Sequence, residues 1–203
     1  MKRQLLLLVV AGFGCGGGDS PAVDAAPSGD GSAVDAATID GSGAAFAITS
    51  PALVEGAPFM IVNTCDGANT SPALAWVGAP AGTMSFAVVL TDNSNGPNGL
   101  IHSVIYDIPA NLTGLPEDVE KVFAPTDVPG AHQTRTLGGA AARGYFGPCP
   151  PLQDGPHIYE FALYALDAAT LPGATMATTQ VQAETIILQH DLATALLTGT
   201  RDR

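Results

Sequence analysis

Three stretches of the chain are apolar over strand-like lengths: 85–90 (SFAVVL), 101–108 (IHSVIYDI) and 158–166 (IYEFALYAL), each set off by Gly, Pro and Asn clusters. Short runs rich in β-branched and aromatic residues, cut off by turn formers, predict strands. Near the tail the period changes. Val181, Thr185, Leu188, Leu192 and Ala195 recur at i, i+4, i+7, i+11 and i+14, the spacing of one helix face. Thr179 stands where an N-cap belongs and Gly199 where such a helix would stop, so a C-terminal helix packed on a sheet is predicted. Trp76 reads as core. The pattern as a whole predicts a mainly β domain.

The first residues follow a different pattern. Met1-Lys2-Arg3 precedes an apolar run over 5–11, too short for a permanent membrane span, and this combination predicts an export signal over 1–15. Gly12-Phe13-Gly14-Cys15 resembles a bacterial lipobox, whose cysteine becomes the lipidated first residue of the mature protein. Ordinary signal cleavage that leaves Cys15 without a role is the alternative. From 16 to 44 the chain is mostly Gly, Ala, Ser, Pro and Asp, with AVDAA at 22–26 and again at 33–37. Few bulky apolar side chains and the spaced acids Asp19, Asp24, Asp30, Asp35 and Asp40 predict a solvated, self-repelling, disordered tether. A calcium loop would need carboxylates at alternate positions and a closing Glu, a spacing this stretch lacks. The folded domain is expected over 45–203, as one core for a chain of this length.

Charge narrows the partners. Seven Lys and Arg against a formal charge of −12 exclude nucleic acid and anionic membrane surfaces as general partners, because both attract basic patches. An anion site must therefore be local. Gly147-Pro148-Cys149-Pro150-Pro151 followed by His157-Ile158-Tyr159 sets a rigid loop against a strand, in which the i, i+2 spacing turns His157 and Tyr159 to one face. Gly147 permits close backbone approach and its neighbourhood could supply N–H donors, which the prolines cannot. For catalysis, Asp92 with His102 and Ser94 or Ser71 could be drawn as a triad, and two histidines with a carboxylate as an open metal site. No G-x-S-x-G elbow, H-E-x-x-H helix or P-loop occurs in the sequence to support either.

Five phrases in order, TCDGANTSPALAW, His102 with YDIPA, RGYFGPCPP, HIYEFALYAL and QHDLATALLTGTR, resemble the phosphatidylethanolamine-binding protein (PEBP) family. The likeness runs from 46 to 203 and is nearest to the small bacterial YbhB/YbcL type, called Raf kinase inhibitor-like. It implies an antiparallel β-sandwich with peripheral helices and a small pocket at one end, lined by Asp92, His102, His157 and Tyr159 and open to phosphate-like or carboxylate anions. Two imidazoles and a phenol can donate hydrogen bonds, and a carboxylate can orient an imidazole or keep it cationic. The resemblance also brings Cys65 and Cys149 near this pocket. Export would permit a disulfide between them, leaving Cys15 as the odd cysteine; two buried reduced thiols are the alternative.

The sequence departs from the family pattern at Ser94, where a second aspartate would stand, and at Ser103, where tryptophan would follow the histidine. Loss of that carboxylate favours an anion and removes an acceptor for an ammonium-bearing head group. His132 and His190 read as packed or solvent-facing, Asp66, Asn69 and Ser71 as turn residues beside Pro72, and Arg143 as a local salt-bridge or loop residue. The expected function is an extracytoplasmic, lipid-anchored binding protein with no cofactor, metal or catalytic turnover. Its ligand would be a small anion or phospholipid head group. Inhibition of an extracytoplasmic protease or other enzyme through loop surfaces is the alternative, with a hydrolase behind it.

Overall fold

In the computed structural model the described residues are 44–137 and 142–203. The export signal, Cys15 and the tether lie outside them. Two antiparallel sheets form the domain. The smaller has three strands in the order β1 (Ala47–Thr49), β2 (Leu74–Val77) and β5 (Gly114–Leu115). The larger has five, in the order β6 (His132–Gln133), β4 (Leu100–Pro109), β3 (Ser85–Asp92), β7 (His157–Leu166) and β8 (Asp191–Arg201). Helix α1 (Gln180–His190) runs straight into β8, and a single turn of 3-10 helix covers Ile61–Asn63. Among the described residues, no helix is long and apolar enough to cross a membrane.

The two faces of the larger sheet carry separate cores, as the alternation of side chains along a strand requires. Phe86, Val88 and Leu90 of β3, Tyr159, Phe161 and Leu163 of β7, and Ala195 and Leu197 of β8 face the smaller sheet, where Ile48, Leu74, Trp76 and Leu115 meet them. Ala87, Val89, Ala162 and Tyr164 face the other way, against Ala183 and Ile187 of α1. Trp76 is core and its Nε1–H donates to the Leu112 carbonyl at 3.1 Å.

The predicted C-terminal helix is correct in its start and wrong in its face and its end. Thr179 does cap it, in a reciprocal capping box with Gln182, which satisfies two amides that would otherwise lack partners. The buried side chains are Ala183 and Ile187, whereas Val181 and Leu188 are 65% and 58% exposed. After His190 the chain extends, and Leu192 and Ala195 belong to β8. The period there is two, with Ala195, Leu197 and Gly199 inward and Leu192, Leu196 and Thr198 outward. Pairing along β7 from His157↔Arg201 to Leu166↔Asp191 gives these residues a ladder of backbone hydrogen bonds, which outweighs weak helical preference in a Thr-rich segment.

β8 is an edge strand. Residues 56–59 cover its last part: the Gly56 and Phe59 amides donate to the Thr198 and Thr200 carbonyls at 3.0 and 2.9 Å, and Thr200 N–H donates to Ala57 at 3.0 Å. Gly199 makes this close approach possible, since a Cβ there would lie 2.6 Å from the Phe59 ring and 2.7 Å from Leu53. Gly199→Val should destabilise the domain by about 1–3 kcal/mol through overpacking, measured as a shift of the urea unfolding midpoint.

Candidate functional site

The end of the sandwich interior where β3 stops and β7 begins is polar. Asp92 is the last residue of β3 and pairs in register with Tyr159, and His157 opens β7. Opposite residues of an antiparallel pair share a face, so all three side chains point into the sandwich. His102 reaches the same place by an irregularity. Leu90 pairs with Ser103 but Thr91 pairs with Ile101, leaving His102 as the extra residue of a bulge. Strict alternation would put it on the face opposite Ser103, and the bulge re-aims its ring. That ring packs edge-on to Tyr159 at 5.3 Å and stacks on Phe146 at 5.6 Å. Asp92, His102, His157 and Tyr159 are 2%, 2%, 5% and 0% exposed.

Their hydrogen bonds give the two histidines different states. His157 Nδ1 lies 2.8 Å from Asp92 Oδ2, and its Nε2 lies 3.3 Å from Asp154 Oδ2. The bond to Asp92 holds the His157 pKa above the ordinary histidine range against the opposing effect of burial. Carboxylates at both ring nitrogens favour the doubly protonated, cationic ring. His102 Nδ1 is 3.2 Å from the carbonyls of both Phe146 and Gly147. Carbonyls only accept, so Nδ1 carries the hydrogen and, in the neutral ring, Nε2 is left as an acceptor. Burial pushes the His102 pKa down despite the nearby Asp92 charge, which keeps this ring neutral. Burial, aided by the Asp92 charge, raises the Tyr159 pKa and keeps the phenol protonated.

A braced loop closes the site. The Cys65 and Cys149 sulfurs are bonded, with Cα atoms 5.4 Å apart across 84 residues of sequence. Cys65 N–H donates to the Pro148 carbonyl at 3.2 Å, the Tyr145 hydroxyl donates to the Asn63 carbonyl at 2.7 Å, and Cys149 N–H donates to the Tyr159 hydroxyl at 3.2 Å. At Gly147 a Cβ would stand 2.1 Å from the Asn63 carbonyl oxygen, so only glycine fits. Its amide is occupied: it donates to Asn69 Oδ1 at 2.7 Å. Gly147 therefore contributes close approach and a carbonyl for His102, in place of the free donor expected from sequence.

The remaining sequence candidates fall as follows. Ser94 stays in the turn after β3, its amide donating to Asp92 Oδ1 at 3.0 Å and its hydroxyl accepting from Ile158 N–H at 2.9 Å. The Ser71 hydroxyl accepts from Val119 N–H at 2.9 Å. Asp92 thus pairs with His157 and not His102, and among the described residues no serine hydroxyl bonds either ring. The triad is not assembled. Also among the described residues, no group of three or more His, Cys, Asp or Glu is placed to hold a metal ion. His132 Nδ1 pairs with Asp107 at 2.8 Å and His190 Nδ1 with Asp167 at 2.7 Å, both away from the cluster. Arg143 lies over the Phe123 ring at 5.3 Å and donates to two carbonyls, as a local loop residue.

Sequence reasoning missed four contributors. Asn69, in left-handed backbone at φ 59°, orients the Gly147 loop. Asp154 reaches back to His157. Arg201 and Arg203 both pair with Asp66, at 2.6 and 2.8 Å, so Asp66 is an ion-pair partner and more than a turn residue. The signal for the arginines was their i, i+2 spacing, the same one that joined His157 to Tyr159, but they lie beyond Gly199, where the predicted helix stops, and were assigned to no strand.

Comparison with known proteins agrees with this fold. The family model for phosphatidylethanolamine-binding protein matches residues 49–202. The chain is 36% identical over 199 residues to "Putative lipoprotein LppC" of Mycobacterium tuberculosis, covering 96% of this chain and 92% of that protein. It is 37% identical over 141 residues to the UPF0098 protein YbcL of Escherichia coli, covering 66% and 76%. The crystal structure of E. coli YbcL, described as a new member of the mammalian PEBP family, superposes with a TM-score of 0.71 at 34% identity over 79% of this chain and 99% of that one.

Because its pKa is raised, His157 contributes stability that is fully present below about 6.5, the ordinary value for an unfolded histidine, and is lost as pH rises through its folded value. His102 has the opposite sign and costs stability as pH falls below that point. Asp92→Asn should return His157 toward the ordinary range in an imidazole NMR titration and flatten the loss of stability on the alkaline side. Wild-type His157 titrating at the ordinary value would contradict this account.

Proposed function

The chain belongs to the phosphatidylethanolamine-binding protein family, in its YbcL type, and we propose that it is an exported, lipid-anchored protein that binds a small phosphate-like or carboxylate anion, free or on a phospholipid head group, at Asp92, His102, His157 and Tyr159. The observation that carries this reading is the state of His157. Its imidazole is buried and fixed on one side by Asp92, its other nitrogen meets Asp154 at 3.3 Å, the Asp154 side chain is 60% exposed, and a raised pKa favours the cationic ring. Asp154 occupies the place of an external anion, and a ligand oxygen exchanges with it at little loss of hydrogen bonding.

The other groups tune that exchange. Neutral His102 offers an acceptor at Nε2, suited to the P–OH of a hydrogenphosphate. Once protonated it becomes a second donor, so anion binding tightens as pH falls toward the lowered His102 range, and bound anion raises the His102 pKa in return. Ser94, in the place of a second aspartate, leaves the ammonium of a head group without that acceptor, so recognition runs through the phosphate. Among the described residues no hydroxyl bonds either histidine ring, which supports a binding site in place of a catalytic one. The basic start, the apolar run over 5–11 and Cys15 support a lipid anchor, and the naming of the M. tuberculosis relative as a lipoprotein agrees with it.

Calorimetric titration with inorganic phosphate, acetate and O-phosphoethanolamine should show binding that strengthens at mildly acidic pH and raises the thermal midpoint. His102→Ala with His157→Ala should abolish both effects. Equal binding by wild type and this double variant would remove the pocket assignment. For the anchor, Cys15→Ser should move the protein from the membrane to the soluble fraction of its host cells. A wild type that is already soluble, with its mature N-terminus beyond Cys15, would exclude lipidation.

A further inference from the structure

Two of the chain's seven Lys and Arg stand at the end of β8, beside the cluster just described. Arg201 is the direct cross-strand partner of His157, which puts their side chains on one face of the sheet. Arg203 folds against the closing loop, its Nη1 3.4 Å from Cys149 Sγ and 3.2 Å from the Pro150 carbonyl. Its charge is also felt at the Tyr159 phenol. The two guanidinium groups share one carboxylate: Arg201 Nη2 is 2.6 Å from Asp66 Oδ2 and Arg203 Nη2 is 2.8 Å from Asp66 Oδ1. Two cations thus share one anion in a chain of formal charge −12.

The donors are not exhausted either. The Nε atoms of both arginines are shielded from solvent and have no hydrogen-bond partner, a costly state for N–H groups of a cation. Asp66 meets both guanidinium groups at Nη2 and neither at Nε. The side chains are 17% exposed for Arg201, 24% for Arg203 and 29% for Asp66, so the ion pair is open enough to exchange with solutes.

We propose that Arg201 and Arg203 form a phosphate-selective subsite beside His157, in which Asp66 is the resident occupant and a phosphate monoester is the ligand. This rests on the anion-binding reading of the cluster and adds its specificity. A carboxylate or a phosphodiester presents two free oxygens and one negative charge, the same as Asp66 itself. A phosphate monoester presents three and a second negative charge, which together can occupy the Nη2 donors and an orphan Nε–H. Planar, forked guanidinium groups are suited to such an oxyanion.

The test is calorimetry on the mature protein with inorganic phosphate, O-phosphoethanolamine, glycerophosphoethanolamine and acetate. The first two should bind more tightly than the diester or the carboxylate. Arg201→Gln with Arg203→Gln should weaken phosphate by about tenfold or more, the scale of losing hydrogen bonds to a charged group, and should narrow its advantage over acetate. Asp66→Asn, which removes the competing occupant, should tighten phosphate. An unchanged phosphate-to-acetate ratio in the arginine variant would overturn the proposal while leaving the His157 pocket in place. So would a diester that binds as well as the monoesters. Phosphate binding that survives His102→Ala with His157→Ala but not the arginine changes would support the subsite and overturn the pocket. Wild type that binds no phosphate would overturn both. If the arginine variant does not fold, Asp66→Asn decides, and no gain in phosphate affinity counts against the proposal.

Discussion

The bond between Asp92 and His157 sets the terms for the whole site. A carboxylate that is 2% exposed at the end of an apolar sandwich is tolerated only when charge and hydrogen bonds meet it. His157 supplies the charge, and the Ser94 amide supplies a further donor. Holding that carboxylate in place in turn fixes the end of β3, the start of β7 and the register between them. The neighbouring polar groups are then arranged around that pair, with one imidazole favoured as a cation by its carboxylates and the other favoured as neutral by its burial.

The division of labour between the histidines comes from backbone as much as from side chains. His157 is positioned by ordinary strand alternation. His102 arrives through a bulge, and its ring is locked by two carbonyls of a loop that is itself held by the Cys65–Cys149 bond, by Asn69 and by a glycine with no room for a side chain. A disulfide closing so long a loop typically contributes about 2–4 kcal/mol. Its local effect is to keep the Phe146 and Gly147 carbonyls where they fix the His102 tautomer.

Much of this was legible in the sequence, for reasons that differ from residue to residue. Strands β3, β4 and β7 announced themselves because period-two and continuous apolar runs are what a sheet covered on both faces demands. His157 and Tyr159 were legible for the same reason, being two apart in such a run. The tail was misread because Leu and Ala at mixed spacing fit both periods, and only the availability of a β7 edge decides between them. Ending the last element at Gly199 also left Arg201 and Arg203 outside any predicted strand. The occupied amide of Gly147, the separate protonation of the histidines and the reach of Asp154 depend on contacts across tens of residues, which no local pattern encodes.

The exposed half of β8 has a further consequence. Residues 56–59 shield Thr198 to Thr200, but Leu192 and Leu196 stand 42% and 53% exposed along the part of the edge that precedes them. An eleven-residue strand with leucines on its open side is a surface along which two copies can zip together. What opposes that contact is long-range repulsion between chains of formal charge −12, and its reach shrinks to about 8 Å at physiological salt. Colloidal behaviour is therefore governed by ionic strength, with added salt lowering the barrier to self-association while leaving the fold itself untouched.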